Sequence, residues 1–272
     1  MTDRYAVVGN PVGHSKSPRI HAAFARQAEQ DLSYETLLAP LDDFEATIEA
    51  FFNAGGKGLN ITVPFKEQAW AMCPVRSQRA EKAGAVNTLL LGKDGLLYGD
   101  NTDGVGLLRD LQNNHGVELK GQRVLVLGAG GAVRGVLGPL LAAGPAQLAV
   151  ANRTTGKAEQ LAALFADEGN ITAFSFPALT GQGFDLIING TSASLSGELP
   201  NLPEGILRAG GCCYDMMYGR DTPFLVWARA HGAGKACDGL GMLVEQAAEA
   251  FWLWRQIRPD TGQVLQMLRN EL

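Results

Sequence analysis

Along the first hundred residues the apolar positions alternate between strand-like and helix-like spacing. An apolar run, Ala6 to Val8, meets Gly9 and a turn. Ser17 followed by Pro18 then reads as a helix cap with proline at the first helical position, and Ile20, Ala23 and Phe24 supply an apolar face. Asp42 and Glu45 frame a second helix start, with Phe44, Ile48, Phe51 and Phe52 at helical spacing and Gly55-Gly56 as its stop. Gly58 to Val63 reads as a short strand ending at Pro64. The runs "AVNTLLL" and "GLLYGD" flank Lys93-Asp94-Gly95, a hairpin signal.

From Arg123 the pattern becomes regular strand-helix alternation. "RVLVLGAGGAVRGVLGPLLAAG" reads as a strand, a glycine-rich turn and a helix, with a kink or restart expected at Pro139. "AQLAVANRT" is a second strand, and "TTGKAEQLAALFADEG" a helix with Ala158, Leu161, Ala162 and Phe165 on one side. "FDLIINGTS" and "GGCCYDMMY" are two further buried strands, and "GLGMLVEQAAEAFWLWRQ" is a long amphipathic helix followed by a helical C-terminal segment. Such alternation predicts an α/β protein with a doubly wound parallel sheet in its second half. The expected organisation is two domains. Residues 1–103 form an N-terminal α/β domain, completed by helices of 240–272, and residues 104–239 form a Rossmann-like domain.

Composition narrows the class. The chain has 272 residues, enough for a core without staples, and 34 glycines, nearly twice the usual share of about 7%. A net charge of -5 argues against nucleic-acid or anionic-membrane partners. The four cysteines, Cys73, Cys212, Cys213 and Cys237, make no C-x-x-C pair and have no histidine at ligand spacing, so no metal site is expected. No secretory leader pattern or membrane-length apolar run is present, and a reduced cytoplasmic location is expected.

Three stretches bear on chemistry. The junction "GNPVGHSKSP" invites a phosphate-loop reading, but that pattern needs six residues from its first Gly to its Lys. Counting from Gly9 places His14 and Ser15 where Gly and Lys belong; counting back from Lys16 places Asn10 and Ser15 where glycines belong. The spacing excludes a phosphate loop. The second stretch, Gly128-Ala129-Gly130-Gly131, follows a strand and opens a helix, so its backbone can approach a pyrophosphate. Its pattern departs from G-x-G-x-x-G at Val133. The next strand ends in Asn152-Arg153-Thr154, with Lys157 one turn on, where an NAD-binding fold places an acid. A guanidinium without an acid suits a 2′-phosphate, and therefore NADP. The bland reading is a solvated Arg and Lys.

The third stretch pairs "NITVPFKE" with "YGDNTDGVG". Lys66 falls in the first turn of a short helix, where the helix dipole disfavours a positive charge, a placement poor for stability and useful for acid-base work. Asp103 lies in a turn between a strand and the helix "VGLLRDLQ", where its carboxylate can meet a lysine. Taken singly, Lys66 reads first as a surface lysine and Asp103 as a helix cap. A calcium loop is excluded, because Gly99 occupies the first ligand position and Asp110 replaces the bidentate Glu.

Together these stretches resemble the shikimate dehydrogenases, NADP-dependent enzymes that reduce 3-dehydroshikimate. The resemblance runs nearly end to end through "GNPVGHSKSP", "NITVPFK", "AVNT", "GDNTDG", "GAGGAVR", "NRT", "NGTS", "YDMMY" with "TPFL", and "DGLGMLVEQA". It implies that Ser15, Ser17 and Tyr218 hold the substrate carboxylate, and that Thr62, Asn87 and Gln246 bond the ring hydroxyls. Lys66 and Asp103 match the catalytic pair. Gly128, Ala129, Gly130, Gly131 and Ala132 match the phosphate turn, which runs on to Arg134. Asn152, Arg153, Thr154 and Lys157 match the 2′-phosphate clamp, and Thr191, Met216 and Gly239 the nicotinamide end. Lys157 stands where many members carry a second arginine, a point charge in place of a fork.

The resemblance also implies a site in the cleft between the domains, small-molecule partners only, and a monomer or homodimer. Two other readings compete with it. An NAD-preferring quinate/shikimate dehydrogenase would place an acid near Arg153, and a non-catalytic shikimate sensor could lose Lys66 and Asp103.

Overall fold

The computed structural model describes residues 2–191, 193 and 197–272. Ser192, the last residue of the "NGTS" stretch, lies outside them. Two compact units result, 1–106 with 244–271, and 107–243 with Leu272.

The first unit opens with β1 (Asp3–Gly9), α1 (Ser17–Gln27), β2 (Leu32–Leu38), α2 (Phe44–Asn53) and β3 (Gly56–Ile61). It continues through α3 (Lys66–Met72), β4 (Val75–Arg76), α4 (Gln78–Ala83), β5 (Thr88–Leu91), β6 (Leu97–Asp100) and the start of α5 (Asp103–Arg109). The strands form a mixed sheet in the order β2-β1-β3-β5-β6-β4. β1 pairs parallel with β2 and β3, and β5 antiparallel with β3 and β6, so the hairpin about Lys93-Asp94-Gly95 is present. Ala6, Val8, Phe44, Ile48, Leu59, Phe65 and Leu89 make its core.

A π-helical turn (Asp110–Asn114) leads into the second unit. There follow β7 (Arg123–Leu127), α6 (Gly131–Ala142), β8 (Gln147–Ala151), α7 (Thr155–Leu164), β9 (Ile171–Phe174) and β10 (Phe184–Asn189). β11 (Leu207–Asp215), α8 (Pro223–Ala230), β12 (Lys235–Asp238), α9 (Leu240–Arg255) and α10 (Thr261–Arg269) complete the chain, the last two mostly within the first unit. The sheet is parallel throughout, in the order β12-β11-β10-β7-β8-β9. Both faces are covered, which is why its strands read as continuous apolar runs. The doubly wound sheet is present as expected.

Local expectations need three corrections. Ser17 is the first residue of α1 rather than its cap; Lys16 takes the capping position, and the Ser17 N–H donates to Ser15 Oγ at 3.2 Å. α2 is capped at Asp43 rather than Asp42, with no side-chain bond, so Glu45 closes no capping box. α6 runs unbroken from Gly131 to Ala142, so no new helix starts at Pro139. The proline sits in the last turn. Its one lost hydrogen bond is offset by the buried Val133, Val136, Leu137, Leu140 and Leu141. No helix among the described residues is long and apolar enough to cross a membrane.

Candidate active site

Two clusters form, one in each unit. In the first, β1 and β3 run side by side with Val8 opposite Ile61, and both strands end together. The Thr62 N–H donates to the Val8 carbonyl at 2.9 Å. A Cβ on Gly9 would stand 2.4 Å from Thr62 Cγ2, so glycine is what lets the two strand ends close. Ser15 and Ser17 follow β1, Ser15 half-buried and Ser17 buried.

Lys66 is the first residue of α3, and its ammonium donates to Asp103 Oδ2 at 2.5 Å. Asp103, the first residue of α5, is 7% exposed, and its other carboxylate oxygen, Oδ1, accepts from Asn87 Nδ2 at 2.8 Å. The same amide reaches Thr102 Oγ1 at 2.9 Å and, more weakly, Gln246 Oε1 at 3.4 Å. The Thr102 N–H in turn donates to Asn87 Oδ1 at 2.9 Å, and the Val86 N–H to the Lys66 carbonyl at 2.9 Å. The backbone on both sides of the pair is therefore fixed. One ammonium is held at one carboxylate by buried amides, while its side chain stays 23% accessible. A proton can be given or taken at that nitrogen.

Beneath this pair lies a layer that sequence reasoning missed. Tyr34 Oη donates to Asn60 Oδ1 at 2.7 Å, and Asn60 Nδ2 reaches the Asn87 carbonyl at 3.2 Å and Thr88 Oγ1 at 3.1 Å. Asn101, whose Oδ1 accepts from the Asp103 N–H at 3.2 Å, and Thr102 sit inside "GDNTDG", so that stretch carried the signal for two further braces of the pair. Asn60 opens the "NITVPFK" stretch, whereas Tyr34 carried no signal.

The second cluster lies on the carboxyl edge of the parallel sheet. The pairing brings Ala151, Leu127, Asn189, Asp215 and Asp238, the last residues of β8, β7, β10, β11 and β12, into one register. The residues that follow them are Asn152, Gly128, Gly190 with Thr191, Met216 and Gly239. In the strand order, β7 and β10 are the neighbours where the winding reverses, the place where open α/β sheets bind ligands.

Gly128 has φ +106°, and a Cβ there would stand 3.0 Å from the Gly190 carbonyl oxygen, so only glycine turns the chain here. Gly130 caps α6, and Gly130, Gly131 and Ala132 are exposed with no atom within 4 Å of a Cβ built on either glycine. The first turn of this twelve-residue helix is thus exposed and has no side-chain cap, fit for an anion. At the next strand end, Asn152 Nδ2 donates to the Thr154 carbonyl at 3.0 Å, and Thr154 caps α7 without spending its hydroxyl on the helix. Arg153 and Lys157 are exposed, and neither is in an ion pair among the described residues.

Thr191 Oγ1 donates to Asn189 Oδ1 at 2.8 Å. A Cβ on Gly239 would come within 2.3 Å of the Met216 carbonyl oxygen, which locks those two turns together. Tyr218 belongs to this unit, is half-buried, and burial pushes its phenol pKa up. No group of three metal-binding side chains forms among the described residues.

Three family models match the chain. They are described as the shikimate dehydrogenase substrate binding domain, over residues 7–89, shikimate / quinate 5-dehydrogenase, over 110–196, and the shikimate 5′-dehydrogenase C-terminal domain, over 239–269. The NADP(+) shikimate dehydrogenase of Alkalilimnicola ehrlichii is 60% identical over 272 residues, covering 100% of both chains. Among solved structures, an Ael1 enzyme from Pseudomonas putida matches with a TM-score of 0.92 at 48% identity, over 98% of each chain. Shikimate 5-dehydrogenase from Thermus thermophilus, in complex with NADP(H) and shikimate, matches with a TM-score of 0.88 at 35% identity over 100% of each chain.

Proposed function

The chain belongs to the shikimate dehydrogenase family, and on that premise we propose that it catalyses the reversible NADP-dependent reduction of 3-dehydroshikimate to shikimate. One observation carries the chemistry: the Lys66 ammonium held at 2.5 Å by a buried Asp103 that Asn87 fixes in place.

In this reading residues 1–103, completed by 240–272, take the substrate, and 104–239 take the dinucleotide. The second cluster fits that cofactor: a glycine turn that excludes a Cβ, an exposed helix start without a side-chain cap for the pyrophosphate, and Arg153 with Lys157 for a 2′-phosphate. Asn152 and Thr154 flank that phosphate, and Thr191, Met216 and Gly239 border the nicotinamide. When bound, the nicotinamide supplies the hydride.

The protein's own residues do the rest. Ser15, Ser17 and Tyr218 hold the ring carboxylate. Thr62, Asn87 and Gln246 bond the ring hydroxyls and so fix which carbon faces the reductant. Lys66 gives its proton to the ketone oxygen as negative charge develops there, and removes the hydroxyl proton in reverse. Asp103 aims the ammonium and stabilises its charge between turnovers. The enzyme works in the cytoplasm on small molecules alone, as monomer or homodimer.

Lys66→Ala tests the assignment. Turnover falls by about a hundred- to ten-thousand-fold, while KM for shikimate changes by less than about threefold. Turnover within about threefold of wild type would remove Lys66 from the chemistry.

A further inference from the structure

In the first unit, Ser77 caps α4, its Oγ accepting from the Ala80 N–H at 3.2 Å and donating to Asp100 Oδ1. That cap brings Arg79, the second residue of the helix, to the end of β6. Arg79 Nε donates to Asp100 Oδ1 and Arg79 Nη2 to Asp100 Oδ2, both at 2.7 Å, a two-pronged bond. Nη2 also reaches Glu249 Oε1 on α9 at 3.2 Å, and Arg258 Nη2 donates to Glu249 Oε2 at 2.7 Å. Both carboxylates are buried, while the Arg79 side chain is 25% exposed. Two guanidiniums thus meet two carboxylates, and the reaction described above uses none of the four.

Each carboxylate adjoins a part of the site. Asp100 ends β6, and its Oδ1 accepts from the Asn101 N–H at 2.7 Å; Asn101 Oδ1 accepts in turn from the Asp103 N–H at 3.2 Å. Glu249 lies one helical turn beyond Gln246 on α9. Gln246 Oε1 accepts from Thr102 Oγ1 at 3.3 Å and from Asn87 Nδ2 at 3.4 Å. A Cβ on Gly106 would stand 2.7 Å from the Gln246 backbone nitrogen, so the start of α5 and α9 touch there. Through Asp100 and Glu249, Arg79 therefore joins the turn that carries Asp103 to the helix that carries Gln246.

Buried charges add little net stability over apolar packing of the same volume, because desolvation offsets their attraction. What this cluster supplies is geometry: the planar fork fixes the direction of its bonds, and with them the spacing of Asp100 and α9. The two elements do not depend on it equally. The Asp100 carbonyl also accepts from the Asn87 N–H at 2.9 Å, and Asn101 Nδ2 donates to the Ala85 carbonyl at 3.1 Å, so the turn is held from its other side. α9 is anchored at its far end, where Trp254 Nε1 donates to the Leu89 carbonyl at 3.0 Å and Arg255 pairs with Asp3. Loss of the fork therefore moves Gln246 more than Asp103.

Resting on the roles given above to Lys66, Asp103 and Gln246, we propose that Arg79 is a positioning residue for substrate recognition. Through Asp100 and Glu249 it sets Gln246 against the turn that carries Asp103, and so fixes where a ring hydroxyl meets that amide. A lysine ammonium keeps the charge here but not the fork, and cannot hold both Asp100 oxygens and Glu249 in one plane.

The test measures kcat, KM for shikimate and for NADP, and the melting temperature of the full chain as wild type, Arg79→Lys, Gln246→Ala and the double variant. Arg79→Lys raises KM for shikimate about three- to tenfold, the worth of one hydrogen bond. Its kcat stays within about threefold of wild type and its KM for NADP within about twofold. In the Gln246→Ala background the same change moves KM for shikimate by less than about twofold, because the residue it acts through is gone. Glu249→Gln, which keeps the side chain's size and removes its charge, raises the same KM and decides the matter if Arg79→Lys fails to fold. A lowered melting temperature with KM for shikimate unchanged makes Arg79 structural only and overturns the proposal. An equal factor with and without Gln246, or a rise in both KM values, overturns it too. Absence of turnover in the wild type overturns the catalytic reading and the proposal with it, whereas an active wild type beside an unaltered Arg79→Lys overturns the proposal alone.

Discussion

His21 is fully buried on α1, stacked on Tyr34 with ring centroids 4.2 Å apart and packed against Phe24, Phe251 and Trp254. Burial lowers its pKa to about 3. The unfolded chain takes up a proton as pH falls through about 6.5 and the folded one does not, so the unfolded state gains on acidification. This one residue removes about 1.4 kcal/mol of stability per pH unit from about 6.5 down to about 3. Urea unfolding followed by tryptophan fluorescence at pH 7 and near pH 5 reads the effect. His21→Leu loses about 2 kcal/mol less than wild type over that interval. An unchanged pH dependence would show that the imidazole titrates in the folded protein. At the same scale, Lys66 and Asp103 were visible in the sequence because their surroundings, "NITVPFK" and "GDNTDG", are unusual, whereas Tyr34 was not. An ordinary tyrosine on a strand gives no sign that its hydroxyl will support a distant amide.

At the scale of the element, the second sheet is the more legible. Buried parallel strands write themselves as apolar runs, and the glycine turn falls where one of them meets a helix. β9 and β12, four residues each, escaped notice because edge strands this short carry no period. α4 and α8 also passed unread, six and eight residues long. The strand ends nevertheless align, which gives two predictions. Arg153→Ala raises KM for NADP by about ten- to a hundredfold, the worth of a charged hydrogen bond, and leaves KM for NAD within about twofold. Because Arg153 is exposed, the melting temperature stays put; a fall of several degrees would mean the guanidinium is structural. Gly239→Ala behaves oppositely. Its methyl would meet the Met216 carbonyl oxygen at 2.3 Å, so the turns must part, with a cost of about 1–3 kcal/mol that calorimetry would detect.

Over the whole molecule, the sequence allowed each unit's class to be recognised and most candidate residues to be placed on a strand end or helix start. What it did not yield is the contact layer: the register that aligns five strand ends, and the amides that brace Asp103. Those depend on pairings between distant segments, such as Asn87 with Thr102 or Leu127 with Asn189, which no local pattern encodes. The central claim concerns the chain as a catalyst, and one experiment addresses it directly. Formation of reduced nicotinamide is followed with shikimate or quinate against NADP or NAD, four combinations in all. The account predicts rapid turnover with shikimate and NADP, and rates at least about tenfold lower in the other three. Comparable rates with quinate and NAD, or ligand binding without turnover in any of the four, would contradict it.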